Sequence, residues 1–162
     1  MPNKIYHAPE TPIAFQESGG DVVLTFKNLG FGAGRVSARV DRGAGSMPGL
    51  YRWRAVVQWE DNPVAGEAAR FHLITSDGTL ADGVAGTADA AITAGQLTNT
   101  DLIGLVLAQA AAGSVNNVAS GTFEILDRYF SIAVWNASAA KNFKNADNVS
   151  KIILTPVPPE IQ

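Results

Sequence analysis

The sequence predicts an all-β fold, an antiparallel β-sandwich of jelly-roll type, on three observations. Hydrophobic residues recur with a period of two along most of the chain. The links between these runs are rich in Gly, Ser, Asn and Asp, residues that tolerate positive φ or bond their own backbone in turns. Signals of helical period are scarce, so the helices that alternate with the strands of a parallel sheet are not expected. One core is expected from 162 residues, and 46% hydrophobic against 17% charged residues provides the apolar surface to fill it.

The first strand is expected at residues 21–27, where Val22, Leu24 and Phe26 share one face and Asp21, Thr25 and Lys27 the other. Residues 35–41 alternate from Arg35 to Asp41 and predict a half-buried strand with a charged outer face. Residues 49–59 set Tyr51, Trp53, Ala55, Val57 and Trp59 on one face and Arg52, Arg54 and Gln58 on the other. Aromatics in such alternation read as core packing before they read as a sugar-stacking platform. Further strands are expected at 69–75, 102–108, 118–126, 129–136 and 149–155, about eight in all. Within 129–136, Phe130, Ile132 and Val134 face inward and Trp135 outward, where it marks a subunit or ligand contact. Helical turns are expected over 93–102, capped by Thr93, and within 137–146.

Prolines gather at the ends: Pro2, Pro9 and Pro12, then Pro156, Pro158 and Pro159. Proline fixes φ and cannot donate to a ladder, so residues 1–17 and 156–162 are expected as extended arms around one domain at 18–155. Such ends read either as frayed termini or as arms docked on a neighbouring subunit. Tyr6, Pro9, Pro12, Phe15, Pro156 and Pro158 are the residues expected at such a contact.

Several chemistries lose their residues. With no cysteine, disulfides, thiolate nucleophiles, iron–sulfur clusters and cysteine zinc sites are excluded. Of the two histidines, His72 lies opposite Phe71 and Leu73 and reads as a surface or satisfied structural residue. No Gly-x-Ser-x-Gly occurs, and the glycine run Gly30 to Gly34 leads into a strand, as a hairpin loop does and a dinucleotide loop does not. Asp77, Asp82 and Asp89 have turn spacing, not that of a calcium loop. Glu60, Asp61, Glu67, Glu124 and Asp127 are available as a glycosidase pair, but nothing in the pattern pairs them. No enzyme, metal or cofactor is expected. A net charge of -3 argues against nucleic acid. No run approaches the roughly 20 apolar residues of a membrane span, and no apolar leader follows Lys4, so the product is expected to stay in the cytoplasm where it is made.

Charge is unevenly placed. Between Arg35 and Arg54 stand five arginines (Arg35, Arg39, Arg42, Arg52, Arg54) and one acid, whereas Glu60 to Asp101 holds seven acids and one arginine. If the strands that carry them are neighbours, the arginines make one basic surface. Arginine's planar fork suits ordered contacts, so that face is expected to meet an acidic surface: either the 60–101 segment of an identical subunit or a shell that the protein coats.

Four segments carry a resemblance: Thr11 to Val23, Tyr51-Arg52-Trp53-Arg54-Ala55, Ala119 to Ile125, and Leu154-Thr155-Pro156-Val157-Pro158. With them the chain resembles small virion proteins of tailed bacteriophages, most of all those that decorate or cement the capsid, and tail-associated proteins share many of these traits. The resemblance implies a structural protein on the outer capsid surface that binds the major capsid protein, as a homotrimer linked by its arms. The competing class is a carbohydrate-binding adhesion module with weak glycan affinity through Trp135; a small hydrolase built on a carboxylate or His72 is a third.

Overall fold

The computed structural model describes residues 5–7, 10–44, 48–84, 86–109 and 115–161, with backbone alone at 5–7 and 159–161. In chain order the strands are β1 (Ile5–His7), β2 (Ile13–Gln16), β3 (Val22–Val23), β4 (Gly34–Val36), β5 (Val40–Asp41), β6 (Leu50–Val57) and β7 (Ala68–Ser76). They continue as β8 (Ala90–Ile92), β9 (Asp101–Leu107), β10 (Asn117–Glu124), β11 (Tyr129–Asn136), β12 (Lys151–Pro156) and β13 (Pro159–Ile161). The fold is an all-β sandwich. One sheet runs β10-β6-β12-β2-β3 and the other β8-β4-β11-β7-β9, with β5 also on β11, while β1 and β13 form a separate ribbon. The described pairings are antiparallel except that of β2 with β3.

Alternation puts the core between the sheets. Tyr51, Trp53, Ala55 and Val57 of β6, with Ile152 and Leu154 of β12, face Phe71 and Leu73 of β7 and Phe130, Ile132 and Val134 of β11. Aromatic rings bridge the gap: Phe15 lies 6.3 Å from Phe130 and Trp53 6.3 Å from Phe71 between centroids, spacings at which each pair adds about 0.5–1.5 kcal/mol to its area burial. A smaller cluster of Val36, Ile74 and Ala133 sits on the outer face of the six-stranded sheet under Ile92, Ala81, Val84 and Leu97. That burial offsets the ordering entropy of the long segment between β7 and β9.

Three sequence expectations are corrected. Over 21–27 only Val22–Val23 is strand. Beyond it the Glu17 carboxylate accepts the backbone N–H of Phe26 (2.7 Å), Lys27 (2.6 Å) and Asn148 (3.0 Å), so a side chain takes the place of a ladder partner. The run 35–41 splits into β4 and β5 because Ser37 is buried: its N–H donates to the Ile132 carbonyl and its Oγ accepts the Ile132 N–H at 3.1 Å. Residues 137–146 form no helix. There the buried Asn136 donates from Nδ2 to the carbonyls of Leu29 (3.0 Å) and Lys141 (2.8 Å) and accepts the Ser138 N–H, shaping a loop that delivers Phe143 edge-on to Trp59. Over 93–102 the expected turn is present as one 3-10 turn, Ala94–Leu97, with Thr93 at its N-cap, and β9 begins at Asp101.

The arms also need correction. Residues 13–16 are β2, whose Phe15 is fully buried in the core, and Pro156 closes β12 opposite Tyr51, so the sandwich runs from Ile13 to Pro156. Proline is tolerated at that strand end, where its missing N–H costs the ladder nothing. Pro12 is exposed and Pro158 half-buried, whereas Pro9 and the Tyr6 side chain lie outside the described residues. The backbone of β1 pairs with β13 of the same chain.

Removing the Asn136 amide leaves buried backbone groups without partners. Asn136→Ala is expected to lower unfolding free energy by about 2 kcal/mol in urea titrations.

Candidate functional site

Arginines 35 to 54 do not form one surface, because β4 and β6 belong to different sheets. Arg35 is tied to Asp89: Nε lies 2.9 Å from Oδ1 and Nη2 2.6 Å from Oδ2. Arg39 is exposed and stacks on the Tyr129 ring, 4.4 Å from its centroid, and Arg128 also lies 4.9 Å from that centroid. Arg42 donates to the carbonyls of Ile125 (2.8 Å), Asp127 (2.7 Å) and Pro48, clamping the start of β6 to the turn after β10. These three guanidiniums serve the fold.

Burial alone would raise the Asp89 carboxyl, but hydrogen bonds from Arg35 and Thr25 outweigh it and hold the group below the ordinary carboxylate range. A folded-state value below the unfolded one means that this bridge contributes its full stability above about pH 4 and loses it as pH falls through the folded value. The urea midpoint is therefore expected to drop on acidification below about pH 4, with a shallower drop in Asp89→Asn.

Arg52 and Arg54 remain. Both project from β6 on the outer face of the five-stranded sheet, exposed, with no ion pair or side-chain hydrogen bond to another described residue. Register sets hydroxyls beside them: Thr122 of β10 and Thr155 of β12 flank Arg52, and Ser120 and Ile153 flank Arg54. Lys151 lies further along β12, opposite Val56. A shallow groove of about 300 Å³ crosses this face, lined by Arg52, Arg54, Ile153, Thr155 and Val157 over the backbone of Trp53. The result is a flat cationic surface fringed with hydroxyl groups, carried on strands whose other face is core.

The acidic segment is mostly spent on its own turns. Asp77 accepts the N–H groups of Thr79 and Leu80, and those bonds hold its carboxyl below the ordinary range. Asp82 accepts the Thr75 hydroxyl, Asp61 faces Lys141 at 3.5 Å, and Glu67 accepts the N–H groups of Val64 and Ala139. Among the described residues Glu60 and Asp101 keep side chains without such partners. No set of three or more His, Asp or Glu side chains among the described residues is placed to hold a metal ion, and none of their helices is long and apolar enough to cross a membrane.

On the opposite sheet Trp135 is half-buried and faces outward, as its phase in the strand predicts. It shares a groove of about 210 Å³ with Arg70, His72, Ala94, Leu97 and Thr98. His72 is pushed below the ordinary imidazole range by burial and then by the nearby Arg70 charge. Sequence reasoning passed over Arg70; the signal available was its outward phase in β7, the same as that of His72.

Comparison with known proteins returned no matching protein-family model, and no curated protein or solved structure similar to this chain.

Proposed function

We propose that this chain is a non-catalytic structural subunit that docks through the Arg52/Arg54 face onto an acidic protein lattice, the outer surface of a tailed-bacteriophage capsid. The setting comes from the resemblance of its four segments to phage virion proteins. The docking face comes from one observation: of five arginines in the basic segment, Arg52 and Arg54 stand free among the described residues on a flat strand-borne surface. Arginine is the cation favoured at ordered protein contacts because its fork binds carboxylates in two-point fashion with little further ordering. A second copy's acidic segment is the weaker partner, since Asp61, Glu67, Asp77, Asp82 and Asp89 are already engaged within the fold. Homotrimerisation would multiply modest contacts over the lattice, and binding to the assembled state alone stabilises that state by mass action.

Co-sedimentation with capsids of the encoding phage tests this reading. The chain should pellet with the shells at low salt and come off as the ionic strength approaches 1 M, where the screening length falls to about 3 Å. A chain that stays in the supernatant at every salt concentration contradicts it.

A further inference from the structure

We propose that the outer face of the six-stranded sheet carries a separate binding site, a groove that takes one acidic saccharide residue between Trp135 and Arg70. The inference uses the sheet opposite the docking face and goes beyond the docking reading.

Trp135 of β11 and Arg70 of β7 are register partners and both project outward. On the other flank Trp135 pairs with Gly34 of β4, where a Cβ would lie 2.5 Å from indole Cε3. The missing side chain is what lets the indole lie against the sheet with its remaining surface toward the groove. The turn Ala94–Leu97, with Thr98, forms the facing wall. A volume of about 210 Å³ is below the roughly 300–1,000 Å³ of sites that hold drug-sized ligands, so the groove suits a single ring.

The polar groups favour a hydroxylated, anionic ring. Thr100 has one hydroxyl proton and gives it to the Leu97 carbonyl at 2.8 Å. Its 2.9 Å contact with His72 Nδ1 must then use the imidazole N–H, which leaves Nε2 as a bare acceptor. That Nε2 has no partner among the described residues but is buried out of reach of a molecule in the groove; the acceptor the groove exposes is Thr98 Oγ1, whose own proton goes to the Gly95 carbonyl at 2.9 Å. Arg70 is exposed and makes no ion pair with a described residue, so its fork is available to a carboxylate. An indole face packs on the C–H face of a pyranose, while a hydroxyl donor and a carboxylate meet Thr98 and Arg70. A uronic-acid residue has all three features.

The test titrates the full chain with methyl β-D-glucuronide and methyl β-D-glucoside, followed by tryptophan fluorescence and saturation-transfer NMR. Trp53 and Trp59 are 3% and 1% exposed, so a ligand-induced change reports Trp135. Saturable binding is expected, about tenfold tighter for the glucuronide. Trp135→Ala should abolish it. Arg70→Gln should bring the glucuronide down to the affinity of the glucoside and leave the glucoside unchanged, which keeps the test decisive even if the tryptophan variant misfolds. No saturable response to either sugar, or responses that both variants leave intact, would overturn the proposal, and equal affinities would remove the role of Arg70. The Arg52→Glu/Arg54→Glu variant should bind the glucuronide normally, so failure of this site and failure of the docking face are read separately.

Discussion

Replacing Arg52 and Arg54 together by glutamate is expected to abolish binding to the capsid lattice while leaving unfolding free energy within about 0.5 kcal/mol of the parent, as for surface residues that anchor nothing. Both side chains leave the fold on the outer face of β6 and hold no described partner there, so stability does not depend on them. Reversing both charges converts two attractions into two repulsions against an acidic surface, and the loss should be on the order of 100-fold or more at low salt. Arg42→Ala should behave in the opposite way. Its guanidinium bonds three backbone carbonyls at the start of β6 and after β10, so the variant should lose stability and, where still folded, dock normally. Sedimentation with shells and urea titration of the same preparations separate the two effects.

A methyl group at position 104 is expected to cost about 2–3 kcal/mol, the upper part of the range for overpacking a core. Gly104 of β9 lies over the indole of Trp53, where a Cβ would be 2.1 Å from Cζ2 and 2.6 Å from Cη2. The ring cannot retreat. On β10, Gly121 presses the same indole, with a Cβ position 2.7 Å from Nε1, and Phe71 stands 6.3 Å away in the core. Trp53 therefore fills the corner where the edge strands of the two sheets meet, and both strands carry glycine to admit it. Gly104→Ala should lower the urea midpoint sharply. Trp53→Phe, which removes ring volume and an indole N–H that has no partner among the described residues, should make the glycine substitution less costly. A loss under about 0.5 kcal/mol in Gly104→Ala would show that the corner has room to relax.

Much of this was readable from alternation. The phase of residues 49–59 assigned Tyr51, Trp53 and Trp59 to the core and Arg52 and Arg54 to the surface, and the phase of 129–136 turned Trp135 outward, as found. What alternation cannot carry is partner identity at long range. Arg35 and Arg52 look alike in sequence, yet one meets an aspartate 54 residues away and the other stands on open sheet. The same limit hid β2, a four-residue strand behind Pro12 whose neighbour β12 lies at the far end of the chain. Glu17 broke the strand expected at 21–27 by capping N–H groups up to 131 residues away, which no local pattern announces. The groove at Trp135 depends on β7 pairing with β11 and on the turn at Ala94–Leu97 folding over them, so its members are legible singly and their convergence is not.

The most direct test of the proposed function is electron cryomicroscopy, at side-chain resolution, of the phage particle it calls for. The account predicts this sandwich on the outer shell, with Arg52 and Arg54 against carboxylates of the capsid protein and the Trp135 groove turned to solvent. A particle without this chain, or one in which the Arg52/Arg54 face points away from the lattice, would contradict it.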